Sequence, residues 1–581
     1  MTEAHGRKWY ALDDAALAHF KPTQHRQWYV YNSFGVKVHP GTDAGNQLTR
    51  LDAFRIMFPT IQMRHTINLT NEALTKRKKK TTTEGEMLRF FGILILMTRI
   101  RCRDRRDLWK SGSEYKYQPS YGFGATGLTR MRWEDIWQSL CFSKQPVERP
   151  ANMTHADHRW MLVDDFVTHF NSHRATNYFP SEKICVDESM VRWYGLGGDW
   201  INLGLPFYIA LDRKPEDGCE IQDSCDGQSH IMMRLRIVKK LSEEQRDMHN
   251  AQAGDVGHGT MCLLELVRPW LNKRGSRRVT CGDSFFASVD CASIMNKHNM
   301  DFIGVVKTSH KMYPKKYFEN LALPSGRGHS TCLVAYDGDG NPELMAIMWV
   351  DRDRKYFIGT CEGSNPGMPQ YRVRWRQVEN GDSNADPVRL MMEIKQPRMV
   401  ESYYSFCGII DQLNKQRQSD LEMEKYVRTN DWSKRVNLSI LSMCMVDAMN
   451  LNQQCKHQSS IDKHAHEWFS KLAEEMIDND LDGVSTRSRS ANNTPSPQAQ
   501  RNDENNHHAD ADEPPAALTP CKERNSRGHS KQGWCKVCRN KKVTTMCRTC
   551  TRNHDYEAPF WVCNTNSDRG CWDTHFHSEH A

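Results

Sequence analysis

Three acidic residues stand where apolar segments end. In ICVDESMVRWYG (residues 184–195), strand-like Ile184, Cys185 and Val186 run into Asp187 and Glu188 before Met190, Val191, Trp193 and Tyr194 resume the apolar pattern. Carboxylates at a core strand are costly unless paired or metal-bound. Asp283 closes a second strand-like run in RRVTCGDSFFAS, and Asp411 stands at the mouth of a helix in ESYYSFCGIIDQLNKQRQ. Taken singly, Asp283 reads as a turn residue and Asp411 as a helix N-cap. Taken together, they meet one chemical need. Two hard divalent cations require oxygen ligands that converge from separate segments, and such a pair activates an attacking hydroxyl and stabilises the leaving oxygen of an in-line phosphoryl transfer. The spacings of 96 and 128 residues leave room for a mixed sheet and then a further β-rich segment.

A second constellation closes the sequence. Cys535-x2-Cys538 and Cys547-x2-Cys550 have the spacing of thiolate pairs that chelate Zn2+, and Cys563, Cys571, His575 and His577 complete two four-ligand sites, with Cys521, His529, His554 and His580 as spare candidates. Alternating use of the pairs gives a cross-brace. Seven of the 20 cysteines fall in the last 61 residues, which points to reduced thiols plus a metal module rather than a disulfide framework.

Elements that could position these groups follow from pattern. Thr83-Glu84-Gly85-Glu86 has the form of a capping box before MLRFFGILILMTRI, which is apolar nearly all round and is expected to be a buried helix. Basic residues flank it: Lys76, Arg77, Lys78, Lys79 and Lys80 before, and Arg99, Arg101, Arg103, Arg105 and Arg106 after. These suit phosphate contact, nuclear import or a solvated loop. From 180 to 310, KICVDESMV, FYIALDR, HIMMRLRIV, RRVTCGD and DFIGVVKT alternate with helix-like stretches, the mark of an α/β fold. Residues 311–400 add strand candidates with no helix among them, helical character returns at 409–475, and 484–520 lacks the apolar content to fold.

The net charge of +8 gives a polyanionic partner a modest advantage. The longest apolar run, FFGILILM, is too short to span a bilayer, and the first residues lack a signal-peptide pattern, so a soluble, non-secreted protein with no membrane partner is expected.

The stretches CVDESMV, GDSFFAS with FIGVVKTSHKMYPKKY, and GIIDQLNKQRQ with YVRTNDWSKRVNLSILSMCMVDAMN resemble the piggyBac transposase family and its transposon-derived relatives; TTEGEMLRFFGILILM and RDLWKSG extend the likeness, which covers about residues 48–460. The resemblance implies an RNase-H-like catalytic core with a β-rich insertion, two Mg2+ held by Asp187, Asp283 and Asp411, cut-and-paste transposition at TTAA targets, double-stranded DNA (transposon ends and target) as partner, a homodimer and nuclear residence. Asp187 would then be a metal ligand on the first core strand, with Glu188 on the other face. The family pattern VDTLDQ has a second acid that IIDQLNKQ lacks, and Asp447 reads as incidental. Its aspartate–asparagine–tryptophan motif is Asp283-Ser284-Phe285 here, and NLGLPFYIALDRKPEDGCEIQD replaces a lysine-rich strand.

The domains expected are 1–47, unassigned; 48–150, helical, for DNA binding and dimerisation; 151–310, the N-terminal segment of the RNase-H-like core; 311–400, the β-rich insertion; 401–475, the C-terminal segment of the core with its helices; 476–520, a linker; and 521–581, a module holding two structural Zn2+. The resulting reading is a Mg2+-dependent DNA transposase of the three-aspartate type. Its rivals are a non-catalytic DNA-binding chromatin protein and a ubiquitin ligase acting through the zinc tail.

Overall fold

The computed structural model describes residues 1–100, 102, 104–110, 121–193, 195, 204–210, 217–240, 256–272, 277–307, 310–322, 324, 326–376, 388–456, 464–483, 518–520, 533–535, 542–547 and 561. The chain divides into two compact units, Met1–Thr494 and Pro495–Ala581.

In the first unit, β1 (Thr2–Ala4) and β2 (Arg7–Ala11) form a hairpin, while β3 (Tyr29–Tyr31), β4 (Lys37–Val38) and β5 (Tyr178–Phe179) make a small sheet. Between β4 and β5 run α1 (Arg50–Met57), α2 (Thr60–Lys76), α3 (Glu84–Arg99), α4 (Arg130–Ser139) and α5 (His155–Asn177). Helix α3 is buried over most of its length, as its all-round apolar pattern requires. Thr83 accepts from the Glu86 N–H at 3.2 Å, but only half of the expected capping box forms, because Glu86 turns instead to Thr82 Oγ1 at 2.8 Å and Arg132 Nη2 at 2.6 Å. Gly92 lets a second helix lie close, since a Cβ there would meet the Ala473 carbonyl at 2.8 Å.

The central sheet then follows as β6 (Lys183–Arg192), β7 (Gly218–Asp226), β8 (Met232–Ile237), β9 (Val279–Gly282) and β10 (Asp301–Val305), with α6 (His258–Val267) before β9 and α7 (Val289–Lys297) before β10. Strands β6, β7 and β8 pair antiparallel, whereas β6–β9 and β9–β10 are parallel. Parallel neighbours need a crossover, which α7 supplies between β9 and β10.

Strands β11 (Ser330–Tyr336), β12 (Pro342–Val350) and β13 (Arg354–Gly359) extend this sheet. The full order is β1-β2-β11-β12-β13-β10-β9-β6-β7-β8. The expected insertion at 311–400 is therefore β-rich but mostly continuous with the core sheet. Among the described residues of that span, the hairpin of β14 (Gln370–Arg376) and β15 (Val388–Ile394) and the short helix Lys315–Glu319 stand outside it. The first residues, unassigned from sequence, cap its edge through β2, with Ala11 opposite Leu333 and Tyr10 opposite Val334.

Strand β7 was not legible from sequence. GCEIQDSCD buries Cys219, Ile221 and Cys225 on one face, but Asp223 interrupts that face and Gln222, Ser224 and Asp226 are buried on the other, so no apolar-polar alternation is left to read. Asp226 accepts from the N–H groups of Ser181 (2.6 Å) and Ser229 (2.7 Å), Ser189 donates to Asp223, and Arg236 donates to Gln222 at 2.8 Å. Local donors thus offset the burial cost. The strand expected at FYIALDR is reduced, over its described residues, to an isolated bridge at Ile209.

The unit closes with α8 (Arg398–Phe406), α9 (Ile409–Lys415), α10 (Trp432–Cys455) and α11 (Ala465–Ile477), the last packing on α3. Asp447 of α10 is buried with Arg174 of α5, each 1% exposed, at 2.9 Å, and accepts from the Met232 N–H of β8 at 2.8 Å. It ties three elements together and holds no place among the candidate ligands.

In the second unit, β16 (Leu518–Pro520) pairs with β19 (Thr545–Cys547), and β17 (Gly533–Trp534) with β18 (Lys542–Val543). Cys535 is buried directly after β17, and Cys547 ends β19. Cys538, Cys550, Cys563, Cys571, His575 and His577 lie outside the described residues, as does most of the expected linker. Among the described residues, no helix is long and apolar enough to cross a membrane.

Candidate active site

Asp187 lies mid-way along β6, and Asp283 directly follows β9. The two strands are parallel neighbours, with Cys185 opposite Cys281 and Val186 opposite Gly282, so the ladder ends at the residues directly before the two acids. Neighbouring strands are spaced by about 4.8 Å. The Asp283 carboxylate accepts from the Phe285 N–H at 2.8 Å, which folds the chain back into a turn immediately after the acid.

Asp411 is in the first turn of α9 rather than at its N-cap, which is Gly408, and it is exposed. Helix α9 is fastened along β6. Asn414 Nδ2 reaches the Glu188 carbonyl at 3.5 Å, Arg417 Nη2 donates to the Met190 carbonyl at 2.8 Å, and Gln418 Nε2 to the same carbonyl at 3.1 Å. Past Lys415 the helix widens into a π-helical stretch, Gln416–Leu421, where buried Arg417 pairs with Glu424. Glu424 also accepts from Ser439 Oγ at 2.8 Å and the Arg192 N–H at 3.2 Å. Arg417 is a positioning residue that the acid motif gave no reason to single out, although it falls within the quoted QLNKQRQ.

Two neighbours, Tyr403 and Cys407, feel the charges of these acids. Burial raises the Cys407 thiol to about 12, with Cys185, Asp187 and Asp411 adding to the effect. Burial likewise pushes the Tyr403 hydroxyl far up, with Cys281, Cys407 and Asp283 contributing. Asp187 itself is pushed up to about 9, first by burial and then by a hydrogen bond to, and the charge of, Glu188. The pleat sends successive Cβ atoms to opposite faces, yet these two carboxyls still meet. Among the described residues, no three His, Cys, Asp or Glu side chains lie close enough to hold one ion. Asp187, Asp283 and Asp411 are among the described residues and form no such group.

The profile of the family described as Transposase IS4 matches residues 49–449, most of the chain and all three acids. The chain belongs to this transposase family. Among solved structures, a piggyBac transposase synaptic complex with hairpin DNA matches with a TM-score of 0.54 and 17% identity, over 80% of this chain and 89% of that one. The likeness is one of fold, and it agrees with the motif resemblance. No curated protein sequence matches the chain.

For a transposase family member, the basic clusters matter, and the structure divides them. Arg99 is half-buried and donates to the Leu421 carbonyl at 2.7 Å; Arg105 lies 5.2 Å over the Trp133 ring; Arg106 clamps Asp104 at 2.6 Å. Arg99 and Arg105 are committed to the fold, Arg106 stays exposed beside its near neighbour Asp104, and Arg101 and Arg103 lie outside the described residues. In the earlier cluster, Arg77 bonds Ser139 Oγ at 2.9 Å and Lys79 pairs with Asp135 at 3.0 Å, whereas Lys78 and Lys80 are exposed. The expected outcome is that a Lys78→Gln, Lys80→Gln protein binds all DNA sequences more weakly, with the salt slope flattened by up to about two phosphate contacts. Arg99→Gln should lower the melting temperature and leave that slope unchanged. Titrating duplex DNA at several salt concentrations separates the two.

Proposed function

We propose that this chain is a piggyBac-like DNA transposase that cleaves and joins strands with Asp187, Asp283 and Asp411 in a Mg2+-dependent reaction. The observation that supports this reading best is the parallel pairing of β6 with β9, which runs up to Val186 and Gly282, the residues directly before Asp187 and Asp283, while the helix that carries Asp411 is fastened along β6. The order β8-β7-β6-β9-β10, antiparallel up to β6 and parallel beyond it, supports an RNase-H-like core.

The residues fit a divalent cation in kind. All three are hard oxygen donors, and Asp187 is held in its neutral form by burial beside another acid, a bias that a nearby cation reverses. When bound, Mg2+ would activate the attacking hydroxyl and stabilise the leaving oxygen. Asp187, on a central strand, fixes the position; Asp283 is steadied by its turn; Asp411 is presented by a helix that Arg417 anchors. TTAA targets, a homodimer and nuclear residence belong to the same proposal.

The test is strand cleavage. The purified full chain, incubated with Mg2+ and TTAA-bearing duplex DNA, should yield nicked product. DNA binding without product would favour the chromatin-protein reading, and ubiquitin transfer would favour the ligase.

The tail is proposed to bind two Zn2+ through Cys535, Cys538, Cys547, Cys550, Cys563, Cys571, His575 and His577. Elemental analysis should return about two zinc ions per chain, and chelation should unfold residues 530–581 while the main unit keeps its melting transition. A return of one zinc or none would rule out the cross-brace.

A further inference from the structure

A cleft of about 670 Å³ opens where the chain leaving α4, residues 140–145, faces α5 and the start of α10. Three of its lining residues carry buried side-chain oxygens that meet no donor among the described residues: Ser143 Oγ, Gln145 Oε1 and Asn437 Oδ1. Ser143 and Asn437 are only 1% and 2% exposed. The Asn437 amide is held in place, because its Nδ2 donates to the Leu162 carbonyl at 2.9 Å, which leaves the oxygen as the end in need of a partner. Buried polar groups in native proteins are nearly always hydrogen-bonded, so three such oxygens around one cleft point to a ligand that donates to them.

The charges of the walls narrow the chemistry of that ligand. Among the lining residues Asp431 is the acid, and Arg159 and Lys434 are the cations. The Asp431 carboxylate is engaged by the first turn of α10, accepting from the Ser433 N–H at 3.0 Å and the Lys434 N–H at 3.2 Å. Arg159 lies over the Trp432 ring, 5.7 Å from its centroid, and Lys434 Nζ donates to the Trp137 carbonyl at 3.0 Å. A phosphate or carboxylate would set its oxygens against three oxygens to which it cannot donate. An ammonium or guanidinium group would meet two cations already in the walls. A nucleic-acid base lacks a stacking platform, since Phe142 and Trp432 are both buried. A polypeptide main chain fits: it is neutral, its N–H groups supply the donors, and its carbonyls can take the remaining hydrogens of Lys434. Val147, fully exposed just beyond Gln145, offers an apolar contact to a side chain of such a segment.

We propose that this cleft binds an extended segment of a partner protein by its main chain, whose N–H groups donate to Ser143 Oγ, Gln145 Oε1 and Asn437 Oδ1. The cleft is built from elements that carry none of the three candidate acids, so the inference goes beyond strand cleavage and does not depend on it. Holding three oxygens unsatisfied destabilises the unbound chain, and the bound segment restores that stability.

The test pans a display library of random linear peptides against the full chain, then titrates the enriched sequences, synthesised with a fluorophore, by anisotropy. Ser143→Ala with Gln145→Leu should weaken their binding by about tenfold or more, the loss of two hydrogen bonds. The melting temperature of the unbound double variant should stay level or rise, because two unsatisfied buried oxygens are gone. Methylating the main-chain nitrogens of a peptide one at a time should cut affinity to a similar degree at the positions that donate. Val147→Ser, at a fully exposed position where folding is not at stake, should weaken binding by a smaller factor. The methyl scan and Val147→Ser decide the matter should the double variant misfold. The proposal is overturned by a library that yields no binder, by equal affinity for wild type and the double variant, or by methylation that has no effect at any position. A double variant that melts lower while peptide affinity is unchanged marks the oxygens as structural and overturns it as well. An oligonucleotide that loses affinity in the double variant while peptides do not marks a nucleic-acid surface, and a dimer that becomes monomeric in the double variant with no peptide bound marks a second copy as the occupant; either result overturns the proposal.

Discussion

Asp187→Asn, Asp283→Asn and Asp411→Asn each lower Mg2+-dependent strand cleavage by about a thousandfold or more, while duplex binding is retained. Each change removes a carboxylate where charge on the attacking and leaving oxygens has to be stabilised. A metal centre contributes several kcal/mol to that stabilisation, and each 1.36 kcal/mol is tenfold in rate. Folding should be nearly untouched, for reasons that differ among the three. The amide oxygen of an asparagine at 283 still accepts from the Phe285 N–H, so the turn persists. Asp411 is exposed in the first turn of α9, where water solvates an amide as readily as an acid. At 187, the amide removes an acid that burial and Glu188 already disfavour in its charged form. Single-turnover cleavage, measured beside thermal melting, checks all three. An Asp411→Asn protein that cuts at the wild-type rate is enough to remove that residue from the site.

Arg174→Met destabilises the main unit by about 3–5 kcal/mol at neutral pH, the cost typical of stranding one member of a buried pair. Arg174 also donates to the carbonyls of Met57 at 2.7 Å and Met232 at 3.0 Å, so its loss leaves backbone acceptors without their donor as well. The pH dependence has a definite sign. Burial already raises Asp447 to about 6 despite the guanidinium beside it, and removing that positive charge raises it further. An acid whose folded value lies above its unfolded one contributes stability below the unfolded value, near 4, and loses it as pH rises through the folded value. The deficit of Arg174→Met should therefore be smallest near pH 4 and widen up to pH 8. Urea titrations across that range measure it, and a deficit independent of pH would mean that packing, not charge, dominates. Asp447→Asn added to Arg174→Met should recover some of the loss at pH 8 and little at pH 4.

The candidate acids were legible because each interrupts an apolar run, and an unexplained carboxylate in such a run is conspicuous. That the strands carrying Asp187 and Asp283 are neighbours was not legible, since register depends on pairings across 96 residues and leaves no mark in either segment. Strand β7 escaped notice because Asp223, Asp226 and Gln222 are buried with their own partners, which breaks the period-two signal that strand reading depends on. The basic clusters misled in the opposite direction. Arg99 and Arg105 are charged in any count, but their guanidinium groups serve carbonyls and tryptophan rings, and only the folded chain distinguishes such a role from phosphate binding.

The pairing of β2 with β11 has a consequence for how the chain acquires its shape during synthesis. Trp9 is fully covered, and Arg7 reaches Glu343 at 2.9 Å across 336 positions of sequence. A ribosome adding roughly 5–20 residues per second needs on the order of 20–60 s to deliver that partner. Through that interval the nascent β1–β2 hairpin has no edge to join, and Trp9 stays open to chaperones. The closing step is thus timed by translation, and slowing or pausing the ribosome before β11 prolongs the exposure of β2.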